Sequence, residues 1–418
     1  MEVQLDSFKK SCSCGREHLI TIEKILIDSH ILPEISVFIE QKGLSAYPMI
    51  ICDTNTYHTG GSTLQTLLKL SDQQVIVLNA QRLHADEFGL EAIKKQFDMK
   101  ATTLIAVGSG TIHDLTRYFA HEINLPFISV PTAASVDGFA STVAAMTFNG
   151  FKVTTPAKAP LAIFADTSII AKAPRHLSAA GVGDLLAKYT ALLDWKISNL
   201  LTGEYICNEI VKITEEALQM MLGSLDEIAN QGEEGYDPLM LGLLLSGVGM
   251  QMIGNSRPAS GAEHHLSHLW EMHVINEELE ALHGEKVGVG LILVADTYRT
   301  LLQYTEAPDF NHLDLLNERL LTPYFKHLTP DLLKENHPDP LEAVKETKFK
   351  EVFKEILTLI KDLPSGEQLT KWLQMVGGKT TVQEIGLPES IEELSLNLAP
   401  YVRGRLTLLR VMKRLQLN

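Results

Sequence analysis

At 418 residues the chain exceeds what one hydrophobic core supports, so two domains or three are expected. A formal net charge of −16 argues against a nucleic-acid surface and against docking on an anionic membrane, both of which need clustered Lys and Arg. It leaves room for a small anionic substrate in a local cationic pocket. Hydrophobic residues make up 45% of the chain, yet no apolar run reaches the ~20 residues of a membrane span. The start, MEVQLDSFKKSCSCGREH, lacks the apolar core of a secretion signal, and four cysteines make no disulfide framework. A cytoplasmic globular protein is expected.

In chain order, Cys12, Cys14 and His18 have the residue types of half a zinc knuckle. No second cysteine pair completes it, so a plain surface turn is expected. Residues 19–42 read as a short strand through Ile25 and Ile27, then an amphipathic helix through Leu32, Ile35 and Phe38. Apolar strands are expected at 47–53, 74–78, 102–107, 126–130 and 160–166, with helices at 87–97 and 111–123. The strands are continuously apolar and alternate with helices, the pattern of a parallel sheet covered on both faces. Residues 1–166 thus predict an α/β, Rossmann-like domain with ligands at the carboxyl ends of its strands. From residue 167 to 418 the period becomes helical, with helices expected at 181–193, 209–228, 239–253, 261–280 and 288–302. This is an all-α second domain, and small-molecule sites favour the cleft between such domains.

Four stretches carry chemistry. Gly108-Ser-Gly-Thr-Ile-His-Asp114 follows a strand and opens a helix, where free N–H groups and a positive dipole end suit a pyrophosphate. Asp53, ending an earlier strand, can accept hydrogen bonds from an adenosine ribose or cap a helix. Pro131-Thr-Ala-Ala-Ser-Val-Asp-Gly-Phe-Ala-Ser141 is a loop of small residues around one acid, Asp137, which either grips a polar ligand or caps a turn. Gly181-Val-Gly-Asp-Leu-Leu-Ala-Lys188 opens a predicted helix and puts Asp184 in its first turn, where the dipole favours a carboxylate. In the last stretch, 256–290, His264 and His268 lie one helical turn apart on a shared face, His265 lies on another, and His283 begins HGEKVGVG. A helix and loop folded back on each other would bring His264 and His283 to one ion. Asp184 would supply an oxygen ligand, leaving coordination positions open for substrate.

The motifs GSGTIHD, PTAASVDGFAS, GVGDLLAK, SRPASGAEHHLSH and LHGEKVGVG, in this order over residues 20–300, resemble the glycerol-1-phosphate dehydrogenases. That family sits in a larger group with glycerol dehydrogenase, the iron-type alcohol dehydrogenases and dehydroquinate synthase. The resemblance implies a dehydroquinate synthase-like fold and interconversion of dihydroxyacetone phosphate and sn-glycerol 1-phosphate by NAD(H) or NADP(H). Hydride would pass to a metal-polarised C2 carbonyl. By position, Asp184, His264 and His283 look like the metal ligands, for zinc or nickel, with ferrous iron a third candidate. Asp137 and His268 look catalytic and, with Asp184, substrate-binding. Gly108, Ser109, Gly110, Thr111 and Ile112 would hold the pyrophosphate, Thr132, Ala133, Ala134, Ser135 and Ser141 would line the cofactor cleft, and Asp53 would take the ribose. Arg257 is a candidate for the substrate phosphate, since a guanidinium fork matches phosphate oxygens, and a structural arginine is the other reading. A homodimer or higher homo-oligomer is expected, dimers being the commonest assembly. The alternatives are a dehydrogenase of glycerol or another polyol, a dehydroquinate-synthase-like lyase, and a sensor without turnover.

Overall fold

The structure, a computed structural model, describes residues 1–8, 12–148, 151–311, 316 and 318–417. Its first 166 residues carry the strands β1 (Lys24–Asp28), β2 (Pro48–Asp53), β3 (Val75–Leu78), β4 (Thr103–Gly108), β5 (Phe127–Pro131), β6 (Val143–Phe148), β7 (Phe151–Pro156) and β8 (Ala162–Asp166). Six of them form one sheet in the order β1-β8-β5-β4-β2-β3, and every neighbouring pair is parallel. The helices α1 (Leu32–Gln41), α2 (Glu87–Gln96) and α3 (Gly110–Glu122) connect them. Ile35 and Phe38 pack on one side of the sheet, and Leu90, Ile93, Leu115 and Phe119 on the other. Burying each such side chain contributes ~1.5–3 kcal/mol, so both faces are driven shut. This is why the strands carry unbroken apolar runs.

The chain leaves β2 toward β3 on one side and crosses to β4 on the other, so the sheet reverses direction between β2 and β4. Asp53 and Gly108 end those two strands, at the switch point where open α/β sheets bind ligands. The strand–helix alternation agrees with the sequence to within one or two residues at most ends. An antiparallel hairpin, β6 with β7, was not foreseen. Its signal is present in the sequence, as Asn149-Gly150 stands between the two runs, the dipeptide of a tight hairpin.

After Asp166 the regular elements among the described residues are helical. They include α4 (Arg175–Leu186), α5 (Lys188–Thr202), α6 (Asn208–Leu222), α7 (Tyr236–Ile253), α8 (Ala262–Glu271) and α9 (His283–Arg299). Four boundaries differ from expectation. The helix foreseen at 209–228 ends at Leu222, and a short one follows over Leu225–Ala229. The helix foreseen at 181–193 is two helices meeting at Ala187. The one foreseen at 261–280 stops at Glu271, where the Asn276 side chain donates to the Trp270 carbonyl (2.9 Å) and His273 takes φ 53°. The last starts at His283 rather than 288, with Glu285 accepting the Leu282 N–H at 2.8 Å.

Two compact units emerge, one of Met1–Gly181 with Glu216–Asn255, the other of Val182–Glu215 with Ser256–Asn418. The expected boundary at 166/167 follows the change from sheet to helix, and the units divide differently. Within the first unit, α7 is tied to the sheet's own loops. Ser246 Oγ donates to Asp137 Oδ2 (2.8 Å) and the Gln251 amide to the Ala140 carbonyl. Periodicity reports an element's type, whereas its partner is settled by contacts of this kind.

Candidate functional site

In the first unit, β4 ends at Gly108 and α3 begins at Gly110. Ser109, the N-cap residue, makes no side-chain capping bond. The N–H groups of Gly110, Thr111 and Ile112 therefore head a helix with no side-chain cap, at the positive end of its dipole. A Cβ at Gly108 would lie 2.6 Å from Ile112 Cβ, so the close strand-to-helix turn requires glycine. His113 fixes the turn from beneath, with Nδ1 2.9 Å from the Ser109 carbonyl and Nε2 2.8 Å from Ser129 Oγ. Burial pushes its pKa down to about 3, so the ring is neutral.

The small-residue loop lies beside this turn. The Thr132 N–H donates to the Gly108 carbonyl at 3.0 Å, and Thr132, Ala133, Ala134, Ser135 and Ser141 are all buried. The buried Arg117 guanidinium donates to the carbonyls of Gly138 (2.6 Å), Phe139 (3.0 Å) and Val143 (3.0 Å), fixing the backbone on both sides of Ser141. Sequence reasoning missed Arg117, because an arginine inside an amphipathic helix reads as a surface residue. Asp137 is buried and oriented by Ser246. Asp53 caps the turn after β2, its Oδ1 accepting the N–H groups of Asn55 and Thr56 at 2.8 Å each.

The second unit gathers the remaining residues. Asp184, His264 and His283 each bring a possible ligand atom within 4.8 Å of the others'. His264 Nε2 lies 3.5 Å from Asp184 Oδ1. Each histidine has its other nitrogen engaged by a carboxylate: His264 Nδ1 by Glu263 Oε1 (2.8 Å) and His283 Nδ1 by Glu271 Oε1 (2.9 Å). A carboxylate behind each imidazole fixes the tautomer that presents Nε2, as metal-binding histidines require. The charge balance also suits a cation. Burial opposes ionisation of Asp184, but Lys188, His264 and His283 outweigh it and hold the carboxyl well below the usual range. Burial likewise lowers His264, yet Asp184 and Glu263 raise it to about 9. The site thus holds a proton strongly where a divalent ion could replace it. The donor set fits such an ion.

Helix packing brings these residues together. A Cβ at Gly183 would lie 2.5 Å from the Gly284 carbonyl oxygen, and one at Gly290 would lie 2.8 Å from that of Glu263. Glycine at those two positions lets α4 and α8 approach α9 closely enough for Asp184, His264 and His283 to converge. Asp184 lies in the last turn of α4, not the first turn of a helix opening at 181. The dipole there disfavours a carboxylate, and buried Lys188, 3.1 Å from Oδ1, compensates. Lys188 was legible from its i+4 spacing to Asp184. Glu263 and Glu271 were not, because nothing in sequence links them to a particular imidazole.

His268 shares the His264 face, with ring centroids 6.1 Å from His264 and 5.9 Å from His283. Its pKa falls well below 6.5, chiefly through burial, with Arg403 adding to the effect and Glu271 opposing it. Its Nδ1 has no hydrogen-bond partner among the described residues. His265 is buried on another face and kept neutral by burial and by Arg405 and Arg403. Arg257 is a structural arginine: its guanidinium pairs with Glu204 and donates to the Leu406 carbonyl (2.8 Å). Asp53, Asp137 and the 108–112 turn belong to the first unit, and the histidines and Asp184 to the second.

Residues 26–174 match the iron-containing alcohol dehydrogenase family. Solved structures of like fold include maleylacetate reductase from Agrobacterium tumefaciens, at TM-score 0.59 and 15% identity over 91% of this chain and 90% of that one. Another is glycerol dehydrogenase from Schizosaccharomyces pombe, at TM-score 0.55 and 18% identity over 94% and 95%. Sheet order, helical region and these likenesses define the iron-type alcohol dehydrogenase fold. Relatives named glycerol-1-phosphate dehydrogenase, NAD(P)+, are closer in sequence. That of Bacillus licheniformis is 34% identical over 97% of this chain and 92% of its own length. That of Geobacillus stearothermophilus is 33% identical over 98% and 97%. The chain belongs to the glycerol-1-phosphate dehydrogenase family.

Proposed function

We propose that this protein is an NAD(P)-dependent oxidoreductase interconverting dihydroxyacetone phosphate and sn-glycerol 1-phosphate with one divalent ion. The observation that carries the reading is 34% and 33% identity over nearly the whole chain to relatives named for that activity. Asp184, His264 and His283 hold the ion, and their nitrogen and oxygen donors suit zinc or nickel, with ferrous iron third. When bound, the ion supplies Lewis acidity at the substrate's C2 oxygen and the nicotinamide supplies or takes the hydride. The α/β part, 1–166, binds the dinucleotide, and the helical part, 167–418, binds ion and substrate.

The chain's own groups prepare that chemistry. The uncapped N–H groups of Gly110, Thr111 and Ile112, with Gly108 and Ser109, take the pyrophosphate. Asp53 turns its second carboxylate oxygen to the ribose. Thr132, Ala133, Ala134, Ser135 and Ser141 would line the cofactor cleft, with the backbone on both sides of Ser141 held by Arg117. Asp137, oriented by Ser246, accepts a hydrogen bond from a substrate hydroxyl. His268, neutral through burial, donates one and passes a proton to or from the C2 oxygen, directly or through water. Arg403, a cation acting on both His265 and His268, attracts the substrate phosphate.

We place the enzyme in the cytoplasm as a homodimer. Cys12, Cys14, Cys52 and Cys207 form no disulfide with one another, as a reducing compartment keeps them. Among the described residues no helix is long and apolar enough to cross a membrane. The test is NADH and NADPH oxidation by metal-loaded protein with dihydroxyacetone phosphate against dihydroxyacetone. The phosphorylated ketone should be strongly preferred, and its product should resist an enzyme specific for sn-glycerol 3-phosphate. Equal or better turnover of dihydroxyacetone would replace this reading with a polyol dehydrogenase.

A further inference from the structure

The stretch from Cys12 to His18 takes no part in the site above. Gly15, at φ 78°, turns the chain back after Cys12-Ser-Cys14, with its N–H bonded to the Cys12 carbonyl at 3.0 Å. The Arg16 N–H donates to Cys14 Sγ at 3.4 Å. His18 is only 8% exposed. Its Nδ1 lies 2.7 Å from the Met252 carbonyl and donates there, so Nε2 presents its lone pair and stands 3.4 Å from Cys14 Sγ. A carbonyl fixing the far nitrogen is the outer-shell arrangement of a metal-binding histidine.

The sulfurs of Cys12 and Cys14 and a ring nitrogen of His18 lie within 4.8 Å of one another. Ligands on one tetrahedral zinc, at bond lengths of ~2.3 Å to sulfur and ~2.0 Å to nitrogen, stand about 3.5–3.8 Å apart. A shift of about 1 Å or less would close this cluster on an ion.

We propose that Cys12, Cys14 and His18 form a second, structural metal site for a thiophilic divalent cation, zinc foremost. Two thiolates and an imidazole select a softer ion than the two imidazoles and carboxylate of the catalytic set, so the two sites take their metals independently. The ion pins the N-terminal segment to the end of α7. The Thr21 N–H already meets Gln251 Oε1 of that helix at 3.3 Å. The same helix carries Ser246 against Asp137 and Gln251 against Ala140. An ion at His18 therefore steadies the element that orients Asp137. The sequence alone favours a surface turn because it looks for a second cysteine pair. The fold shows that His18 is buried and oriented by the Met252 carbonyl.

The test begins with full-length protein purified with zinc present. Titration with a mercurial, which displaces metal from thiolates, should release one equivalent of zinc to a chromogenic chelator. Cobalt substitution should give a sulfur-to-metal charge-transfer band in the near ultraviolet. C12S/C14S should lose that equivalent and the band, keep the ion held by Asp184, His264 and His283, and unfold at lower temperature. H283A should show the reverse pattern of loss. Absence of mercurial-released zinc in the wild type, or a Cys12–Cys14 disulfide in the freshly purified chain, would overturn the proposal even if the double variant fails to fold.

Discussion

The substitution E271Q tests whether the imidazole of His283 faces an ion through its Nε2. Glu271 Oε1 lies 2.9 Å from His283 Nδ1 and 3.1 Å from Lys286 Nζ. Glutamine keeps the volume and an acceptor but removes the negative charge that faces His283 Nδ1. A hydrogen bond to a charged group contributes about 1.5–3 kcal/mol, and about 1.4 kcal/mol is a decade in affinity. Metal Kd should therefore weaken about 10–100-fold, the usual cost of losing such an orienting partner. Activity should return when enough metal is added. The assay is competition between apo-protein and a chromophoric chelator, paired with kcat at saturating metal. E271A is the contrast: it removes the carboxylate from a buried pair with Lys286, itself only 7% exposed, and should lose about 3–5 kcal/mol of stability in urea. Unchanged metal affinity in E271Q would remove His283 from the ion's ligands, and the catalytic set would have to be redrawn.

Other expectations follow from single contacts. G183A places a Cβ 2.5 Å from the Gly284 carbonyl oxygen, so α4 and α9 must separate. Overpacking of this kind costs about 1–3 kcal/mol, and both the thermal midpoint and metal retention should fall. R403A should raise KM for dihydroxyacetone phosphate about 10–100-fold, a charged hydrogen bond of about 1.5–3 kcal/mol, and leave KM for NADH unchanged. An equal effect on unphosphorylated dihydroxyacetone would show that Arg403 does not read the phosphate. His113 sets a pH dependence. Its folded pKa of about 3 lies below its unfolded value of 6.5, so its stabilisation is complete above pH 6.5 and is lost as pH falls toward 3. Between pH 8 and pH 5.5 this one group should cost about 1.4 kcal/mol in urea unfolding, and H113N should lack that part of the slope. Parallel slopes for the two proteins would refute it.

Much of this was legible before any coordinates. Continuously apolar strands 102–107 and 126–130 report burial on both faces, and that property alone specifies a parallel sheet under helices. The GSG turn is legible because a strand ending in glycine before a helix has few other physical explanations. His264 and His268 share a face because helical periodicity fixes their spacing, and the ordered motifs named the family. Tertiary structure alone decided the partners. Periodicity could not divide the helices between the two units, since α7 joins the first through Ser246 and Gln251 contacts far from it in sequence. Nor could it show that Asp184 sits at the end of its helix, balanced by Lys188, or that Glu263 and Glu271 stand behind the two imidazoles. The sequence left Arg257 between a phosphate contact and a structural arginine, because its type suits both, and only folding brought Glu204 against it. A residue's chemistry and its local geometry are written along the chain, but the groups it faces come from distant segments. Close approaches at Gly183 and Gly290 create that neighbourhood, and no local signal encodes it.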